Sequence, residues 1–339
     1  MRRALAAVVE MVIFALASGL LAQAAWAAAT VDACATRTDM LGISRVIEVD
    51  TTGGPMFGRS PQGAFDVLGD HEVILTFDDG PLRPYTAKVL EALDAHCTKA
   101  TFFMVGRMAV ADPAMVKEVA KHGHTIGAHT WSHAKLQTVG LNEARDEIEL
   151  GFSAVAKALG KPIAPFFRFP YLRMSDTAIG YLKSRNVASF YIDIDSRDFD
   201  TRDGATVERK VLAQLAKRGK GILLFHDIQP STAQALKGIL NKLKMRGYKV
   251  VHMVPKTNAT TLANFDTLAA RKMEQRQRAT EKQPLTKHSV VLPATGGTSA
   301  NGKREVLPWG KQPDPTASRR KVRAKRTSNN SWYSWFGAW

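Results

Sequence analysis

The sequence predicts an α/β fold with a parallel sheet, and two features of residues 73–253 indicate it. Apolar runs of strand length alternate with amphipathic helical patterns, so each strand is expected to reach the next through a helix. The runs are apolar throughout rather than alternating with polar residues, which is typical of strands covered on both faces. A barrel and a doubly wound sheet both satisfy these features. The seven runs are VILTF, ATFFMV, HTIGAH, IAPFFRF, ASFYIDI, GILLFH and KVVHM.

The helical patterns between the runs carry boundary signals of their own. Asp112 followed by Pro113 marks a helix start, because an aspartate caps the first backbone N–H groups and proline fits the first turn. Gly123, Gly160 and Gly247 mark helix ends, where glycine accepts the left-handed conformation. The six patterns are YTAKVLEALDAH, DPAMVKEVAKHG, LNEARDEIELGFSAVAKALG, DTAIGYLKSRN, TVERKVLAQLAKRG and TAQALKGILNKLKMRG.

The N-terminal residues are predicted to direct export. Two arginines, the apolar run MVIFALASGLLAQ and the small residues AWAAA form a signal segment over residues 1–27. The expected location is therefore the periplasm or the exterior of the cell, with a retained membrane anchor as the alternative. Residues 28–70, spotted with glycine and proline, predict an arm that lies over the domain. In an oxidising compartment Cys34 and Cys97 could pair, and two unpaired thiols are the alternative that the sequence leaves open.

The C-terminal residues 266–339 are predicted to form a disordered basic tail. They hold fifteen Lys and Arg against five Asp and Glu, and so account for most of the net charge of +16. Their polar, proline-containing composition lacks the apolar residues that a core needs. Attraction to anionic envelope polymers or to a membrane surface is the preferred interpretation, and a merely solvated tail is the alternative. The export signal disfavours nucleic acid as a partner.

Candidate functional residues follow the strands, at the carboxyl ends where the sites of parallel α/β folds lie. Asp78 and Asp79 end the first run, and the motif HTWSH after the third run places His129 and His133 four residues apart. One end of the sheet is therefore expected to collect acids, bases and metal ligands. The residues that follow later runs are Arg168–Tyr171 in RFPY, Asp195–Phe199 in DSRDF, and His226 with Asp227 in LLFHD.

The two histidines are the first indication of a metal site. On a helical turn, a spacing of four residues places both rings on one side, where two nitrogens reach one ion. Such a pair is more often structural, but a strand-end carboxylate completes a His₂–carboxylate set of the kind that leaves zinc open to water and substrate. The residues alone leave Asp78 and Asp79 interchangeable as that carboxylate.

Five motifs together resemble those of the polysaccharide deacetylase family, carbohydrate esterase family 4. In chain order they are TFDDGP, HTWSH, RFPY, DSRDF and LLFHD. The resemblance covers about residues 73–253, and it implies a distorted (β/α)₇ barrel with a catalytic domain over residues 71–257. It also implies a metal-dependent hydrolase that removes N-acetyl groups from a GlcNAc-containing glycan of the peptidoglycan or chitin type.

The resemblance assigns the metal and the proton transfers to particular residues. Asp79, His129 and His133 would hold a divalent metal, expected to be Zn²⁺ with Co²⁺ or Ni²⁺ as alternatives. Asp78 would act as general base toward the metal-bound water that attacks the acetamide carbonyl. His226 would be the general acid that protonates the leaving amine.

Three further residues would support these groups. Arg168 would orient Asp78 through a bidentate ion pair, a geometry that the guanidinium fork allows. Asp198 would stabilise the charged form of His226, because a neighbouring carboxylate raises the pKa of an imidazole. The backbone N–H of Tyr171 would help to stabilise the oxyanion.

The groove residues depart most from the family pattern. Leu224, Phe199 and Tyr171 would contact the substrate around the acetyl group, but Phe199 replaces the usual tryptophan. Phe169 stands where the family often has proline, and Leu172 where glycine is common. These changes leave the substrate preference open. An O-acetyl ester hydrolase acting on a xylan-like glycan and a catalytically silent carbohydrate-binding protein are the alternative functions, although a silent protein should lack a base, acid or metal ligand.

Overall fold

Ten strands form one sheet in the computed structural model of the chain, which describes residues 34, 37, 39–61 and 65–281. All the ladders between them are parallel, as the apolar runs predicted. The predicted signal segment, and residues 282–339 of the predicted tail, lie outside the described residues. The strands are β1 Arg45–Val49, β2 Met56–Phe57, β3 Glu72–Asp78, β4 Thr101–Met104, β5 Thr125–Ala128, β6 Phe166–Phe167, β7 Ala188–Phe190, β8 Ile194–Asp195, β9 Gly221–His226 and β10 Lys249–Pro255.

Strand β3 lies at the centre of the sheet and has partners along both edges. β9 pairs with it from Val73 to Asp78, whereas β10 and then β4 share the other edge. The sheet continues from β4 through β5, β6 and β7 to β2, and β8 flanks β9. This parallel α/β architecture is that of the predicted distorted (β/α)₇ barrel. It brings the carboxyl ends of β3, β5, β6 and β9 to one end of the molecule.

The barrel is distorted at a run that the sequence predicted to be one strand. ASFYIDI forms two short strands, of which β7 pairs with β6 and β2, while β8 pairs with β9. Within the described part of the chain, no ladder joins β7 to β8. The interruption between Phe190 and Ile194 leaves main-chain carbonyls that a regular ladder would have used. Two of them accept hydrogen bonds from a buried side chain.

Helices connect the strands and carry most of the predicted boundary signals. The Asp112 carboxylate accepts a hydrogen bond of 3.0 Å from the Met115 N–H and caps the third helix. Gly160, at φ +83°, ends the fourth. Among the described residues no helix has both the length and the apolar character needed to cross a bilayer. The helices are α1 Arg83–Ala95, α2 Gly106–Ala111, α3 Pro113–Lys121, α4 Leu141–Leu159, α5 Asp176–Ser184, α6 Gly204–Arg218, α7 Pro230–Met245 and α8 Ala263–Glu281.

The side chains of β3 alternate between two cores. Leu75 and Phe77 belong to the large cluster that the helices share, whereas Ile74 belongs to a second cluster that contains strand and loop residues but no helix residue. This second cluster is the interior of the barrel. Because successive strand residues point to opposite faces, Thr76 and Asp78 share the interior side with Ile74. The strand therefore carries one carboxylate into the barrel at its end.

The N-terminal arm contributes to the sheet instead of lying over the domain. β1 extends the sheet beyond β10, and β2 pairs with β7, so that both strands cover edges that would otherwise expose unpaired backbone groups. Cys34 and Cys97 form a disulfide with a Cα–Cα distance of 5.6 Å, which decides the alternative that the sequence left open. The pairing ties the beginning of the arm to the chain after α1.

Helix α8 is a correction to the sequence analysis, which predicted disorder from residue 266 onward. The helix packs against α2 and α4, and it buries Phe265 and Ala269 in a third apolar cluster. Phe265, Ala269 and Met273 follow one another at spacings of four, and so lie on one face. Charged residues surround this sparse apolar face, which is why composition alone predicted a tail.

Two buried histidines, His124 before β5 and His252 within β10, are expected to make stability depend on pH. Burial lowers the pKa of His252 to about 4, and it lowers the pKa of His124 well below the usual value of 6.5. Between pH 6.5 and 4 the unfolded chain therefore binds more protons than the folded chain, so stability is lost as the pH falls. For His252 the full loss is roughly 3 kcal/mol.

The replacement His252→Gln is expected to flatten this pH dependence. Glutamine does not titrate, yet its amide can still donate to Oγ1 of Thr125, which lies 2.9 Å from Nε2 of His252. The free energy of unfolding in urea, measured at intervals between pH 7 and 4, should fall less steeply for the variant than for the wild type. Equal slopes would contradict the prediction.

Candidate active site

Arg168 is fully buried inside the barrel and fixes the orientation of Asp78. Its Nη1 donates to Oδ1 of Asp78 at 2.8 Å and to Oγ1 of Thr76 at 2.7 Å. The expected bidentate ion pair is wrong, because the other guanidinium donors are used elsewhere. Nε donates to the carbonyl of Phe190 at 3.2 Å and Nη2 to that of Tyr191 at 3.3 Å. The main-chain carbonyls between β7 and β8 thus accept the hydrogen bonds that the guanidinium would need for a bidentate pair with Asp78.

Asp79 turns away from its neighbour and faces the two histidines of HTWSH. Its φ of +75° ends the extended conformation of β3, so the two adjacent carboxylates reach different partners. Oδ1 of Asp79 lies 3.4 Å from Nε2 of His129 and 3.2 Å from Nε2 of His133. These ligand atoms all lie within 4.8 Å of one another and are buried.

The three side chains fit a divalent cation. Zinc held by nitrogen and oxygen at about 2.0–2.2 Å in tetrahedral geometry requires ligand atoms about 3.4 Å apart, close to the separations from Asp79. Buried Oδ1 of Asp79 has no hydrogen-bond partner among the described residues, as expected for an atom that coordinates an ion. In the part of the chain that is described, this is the one group of three such side chains close enough to share a metal.

The protonation states also suit metal ligands. Burial lowers the pKa of His133 to about 4, which keeps its ring neutral at pH 7. Burial by itself would raise the pKa of Asp79, but the adjacent His133 and His129 outweigh it and hold that pKa well below its ordinary range. Metals bind neutral imidazoles and ionised carboxylates, so no proton needs to leave His133 or Asp79 on binding.

The histidines lie on a loop, so the expectation of a helical turn is wrong. Residues 129–133 lie between β5 and α4, and Thr130 and His133 have φ values of +65° and +64°. Nδ1 of His129 donates to the carbonyl of Arg168 at 2.7 Å, and this contact orients the ring so that Nε2 faces Asp79. The backbone N–H of His133 donates to Oγ1 of Thr130 at 3.0 Å.

His226 and Asp198 form the second ion pair of the site. Nδ1 of His226 lies 2.7 Å from Oδ1 of Asp198, and the backbone N–H of His226 donates to Oδ2 at 2.7 Å. The Thr232 hydroxyl also donates to Oδ2. Burial disfavours the imidazolium, but Asp198 outweighs it and raises the pKa of His226 to about 10. The ring therefore carries a proton at neutral pH.

The predicted substrate residues lie around these groups. The Tyr171 ring centroid is 4.5 Å from that of His133, and its φ of +58° marks a sharp turn after β6. Phe199 is 41 % exposed and meets the His226 ring edge-on at 5.7 Å. Leu224 is buried on β9, next to Thr76 in the ladder. Whether the N–H of Tyr171 stabilises an oxyanion stays a prediction.

One buried residue that the sequence left without a role belongs to the site. Asp227 accepts a hydrogen bond of 2.7 Å from Oγ1 of Thr86, and burial raises the pKa of its carboxyl to about 7. Its carboxylate lies against Gly80, where a Cβ would come within 2.1 Å of Oδ2. The aspartate thus packs on the turn that follows Asp79. The HD pair in LLFHD is the local signal for Asp227, but an aspartate after a strand can equally well cap a loop.

Known proteins resemble this chain in sequence and in fold. A family model described as polysaccharide deacetylase matches residues 66–189. A chitooligosaccharide deacetylase of Bradyrhizobium is 30 % identical over 205 residues, which cover 56 % of this chain and 92 % of that protein. The peptidoglycan-N-acetylglucosamine deacetylase PgdA of Listeria monocytogenes is 33 % identical over 179 residues, covering 53 % of this chain, and the chain spans 37 % of that protein's length. The solved peptidoglycan deacetylase Bd3279 of Bdellovibrio bacteriovorus is 34 % identical with a TM-score of 0.58, covering 65 % of this chain and 61 % of that one.

Proposed function

Because the chain belongs to the polysaccharide deacetylase family, we propose that it is a metal-dependent hydrolase. Its reaction would remove N-acetyl groups from a glycan that contains GlcNAc. The observation that carries the proposal is the grouping of Asp79, His129 and His133 beside two separate ion pairs, one suited to accepting a proton and the other to donating one. One pair holds a carboxylate and the other holds a protonated imidazole. Amide hydrolysis requires both, since a proton leaves the attacking water and another reaches the departing nitrogen.

The metal ligands proposed are Asp79, His129 and His133, with Zn²⁺ as the expected ion. When bound, the cation lowers the pKa of a water molecule and polarises the acetamide carbonyl. Three protein ligands would leave coordination positions for water and substrate. The hydrogen bond from His129 to the Arg168 carbonyl keeps the first ring oriented for this task.

Asp78 is the proposed general base. Arg168 holds Oδ1 of its carboxylate, which leaves Oδ2 to accept the proton of the attacking water. Oδ2 lies 3.9 Å from Nε2 of His129, and therefore beside the metal ligands without belonging to them. The proton can return to solvent or pass to the product once the acetate leaves.

His226 is the proposed general acid. Asp198 fixes Nδ1 and keeps the imidazolium charged, so that Nε2 can donate a proton to the nitrogen of the leaving sugar amine. The exposed ring of Phe199 beside His226 would contact the sugar, and Leu224 would border the acetyl group. Tyr171, on the His133 side, would border the opposite side of the groove and offer its backbone N–H to the developing oxyanion.

Location and partners are parts of the same proposal. The signal segment at residues 1–27 supports export to the periplasm or the exterior, where an acetylated envelope glycan is available. The basic residues beyond 281 support attraction to anionic envelope polymers or a membrane surface.

The function is tested by acetate release from peptidoglycan, chitooligosaccharides and acetylated xylan. Release is expected from the GlcNAc-containing substrates, with loss after chelation and recovery when Zn²⁺ is added back. The Asp78→Asn protein serves as the inactive control. Release from acetylated xylan alone would favour an ester hydrolase, and no release from any substrate would favour a carbohydrate-binding protein.

The variant Asp198→Asn is expected to move the alkaline limit of activity to lower pH. The carboxylate raises the pKa of His226 to about 10, so its removal lowers that pKa, and the active protonated ring is lost at a lower pH. A pH profile of kcat/KM between pH 5 and 11 measures the shift, which should exceed one pH unit. An alkaline limb at the wild-type position would assign that limb to another group.

A further inference from the structure

The loop that carries the two histidines is held by groups that are not metal ligands. We name residues 129–133 the metal-binding loop. The N–H groups of Gly106 and Arg107, in the first turn of α2, donate to the carbonyls of Thr130 at 2.9 Å and Trp131 at 3.0 Å. On the other side, the Trp131 N–H donates to the main-chain carbonyl of Glu147 in α4 at 2.8 Å. Two helices therefore fix the backbone between the two ligands.

The side chain of Glu147 holds the residue directly before His133. Its Oε2 accepts from the Ser132 N–H at 2.8 Å, and its Oε1 accepts from the Ser132 hydroxyl at 2.8 Å. A carboxylate that accepts two such bonds forms a stronger and more directional contact than a neutral acceptor. Glu147 thereby fixes the turn that directs His133 toward Asp79.

The loop also packs directly on helix backbones. A Cβ at Gly151 of α4 would lie 2.6 Å from the carbonyl carbon of Thr130. At Gly106, a Cβ would lie 2.9 Å from Cε3 of Trp131. The loop therefore has little room to move toward α4 or α2, and the position of either helix is transmitted to it.

Trp131 connects the loop to α8. Its ring packs against the apolar cluster that contains Phe265 and Ala269 of α8 together with residues of α2 and α4. The ammonium group of Lys272, also on α8, lies 6.0 Å from the centre of the indole ring. Helix α8 lies well beyond residues 66–189, which match the family model. A helix outside the matched segment thus covers Trp131, the middle residue between the two histidines.

We propose that α8 and Glu147 position the metal-binding loop and thereby set the affinity for the cation, although neither supplies a ligand. The inference rests on the metal-dependent function proposed above. A metal site needs its ligands held within about half an ångström of the productive geometry. Contacts around the ligands supply that precision, and their loss typically weakens metal binding about 10–100-fold.

The polar half of the proposal is tested with Glu147→Gln and the matched control Glu143→Gln. Glutamine removes the charge and leaves only weaker neutral hydrogen bonds to the N–H and hydroxyl of Ser132, whereas Glu143 is exposed on the same helix. Zn²⁺ affinity of the full chain is measured by competition with a chromophoric chelator, and the Co²⁺ absorption spectrum reports the ligand geometry. We expect about 10–100-fold weaker Zn²⁺ binding and an altered Co²⁺ spectrum for Glu147→Gln, with wild-type values for the control.

The apolar half is tested with Phe265→Ala, with Leu268→Ala on the outer face of α8 as the control. We expect Phe265→Ala to weaken Zn²⁺ binding about tenfold or more and the control to leave it unchanged. Thermal unfolding of the cation-free proteins separates this effect from a general loss of stability. If Phe265→Ala does not fold, Met273→Ala replaces it, because Met273 only borders the cluster.

The outcomes distinguish this inference from the proposed function. Wild-type Zn²⁺ affinity in Glu147→Gln and in the α8 variant overturns the inference and leaves the function standing. If the wild-type chain binds Zn²⁺ but releases no acetate, the proposed function is wrong. The Zn²⁺ affinities of the variants then still test the role of the loop contacts. A wild-type chain that binds no cation overturns both.

Discussion

The variant Asp78→Asn is expected to lower the rate of acetate release by about 10²–10⁴-fold, the usual contribution of a general base. Asparagine has nearly the same shape and can still accept the hydrogen bond from Nη1 of Arg168, so the fold should persist. Its neutral amide takes no proton from water. Because Asp79 and not Asp78 faces both histidines, Zn²⁺ binding should survive the change. Acetate release under saturating substrate and Zn²⁺ competition with a chelator measure the two properties separately.

The matched comparison is His129→Ala, which should lose both Zn²⁺ binding and acetate release. The pair of variants assigns the two adjacent carboxylates, a question that their positions in the sequence left open. Wild-type activity in Asp78→Asn would show that another group serves as the base. Loss of Zn²⁺ binding in the same variant would show that Asp78 is a ligand.

The variant Arg168→Met is expected to lower the free energy of unfolding by about 3–5 kcal/mol, as is typical when one partner of a buried ion pair is removed. Arg168 is fully buried, and its loss leaves Asp78 without a counter-charge beside Asp79. It also leaves the carbonyls of Phe190 and Tyr191 without donors. Urea unfolding of the cation-free protein at pH 7 measures the effect.

Two controls separate the buried charge from general packing. Arg45→Met breaks the ion pair between the exposed Arg45 and Glu72, and it should lower the free energy of unfolding by at most about 1 kcal/mol. In an Asp78→Asn background, Arg168→Met should cost clearly less than in the wild type, since no charge is then left unpaired. The same cost in both backgrounds would mean that the carbonyl contacts, and not the pairing with Asp78, account for the effect.

The strands, and the gathering of polar side chains at their carboxyl ends, were the most predictable features of the molecule. Continuous apolar runs ending in polar motifs can be recognised without tertiary contacts, because parallel strands are buried on both faces and their carboxyl ends meet at one edge. Six of the eight described helices also followed from periodicity and from boundary residues such as Asp112 and Gly160. The two missed helices are the short α2 and α8. Helix α8 buries only a narrow apolar face, so its partners α2 and α4, rather than its composition, stabilise it.

Three features of the site depended on contacts between distant residues. The HTWSH histidines lie close enough to share an ion because left-handed residues and two neighbouring helices shape a loop, not because their spacing matches a helical turn. Arg168 binds Asp78 through one nitrogen because the gap between β7 and β8 presents carbonyls to the others. Glu147 follows Ser132 by fifteen positions, and nothing in the local sequence connects them.

The sequence by itself determined which residue types stand at the ends of which strands, since strand burial and alternation are local consequences of side-chain character. It therefore determined that several carboxylates, three imidazoles and a guanidinium meet at one end of a parallel α/β fold. Only the tertiary structure decided which partner each of the two adjacent carboxylates has. Asp78 turns inward to a buried arginine, and Asp79 turns to the histidines. The physical reason is that the partner of a buried charge is set by which strands and loops pack beside it, and that packing joins residues far apart in the chain.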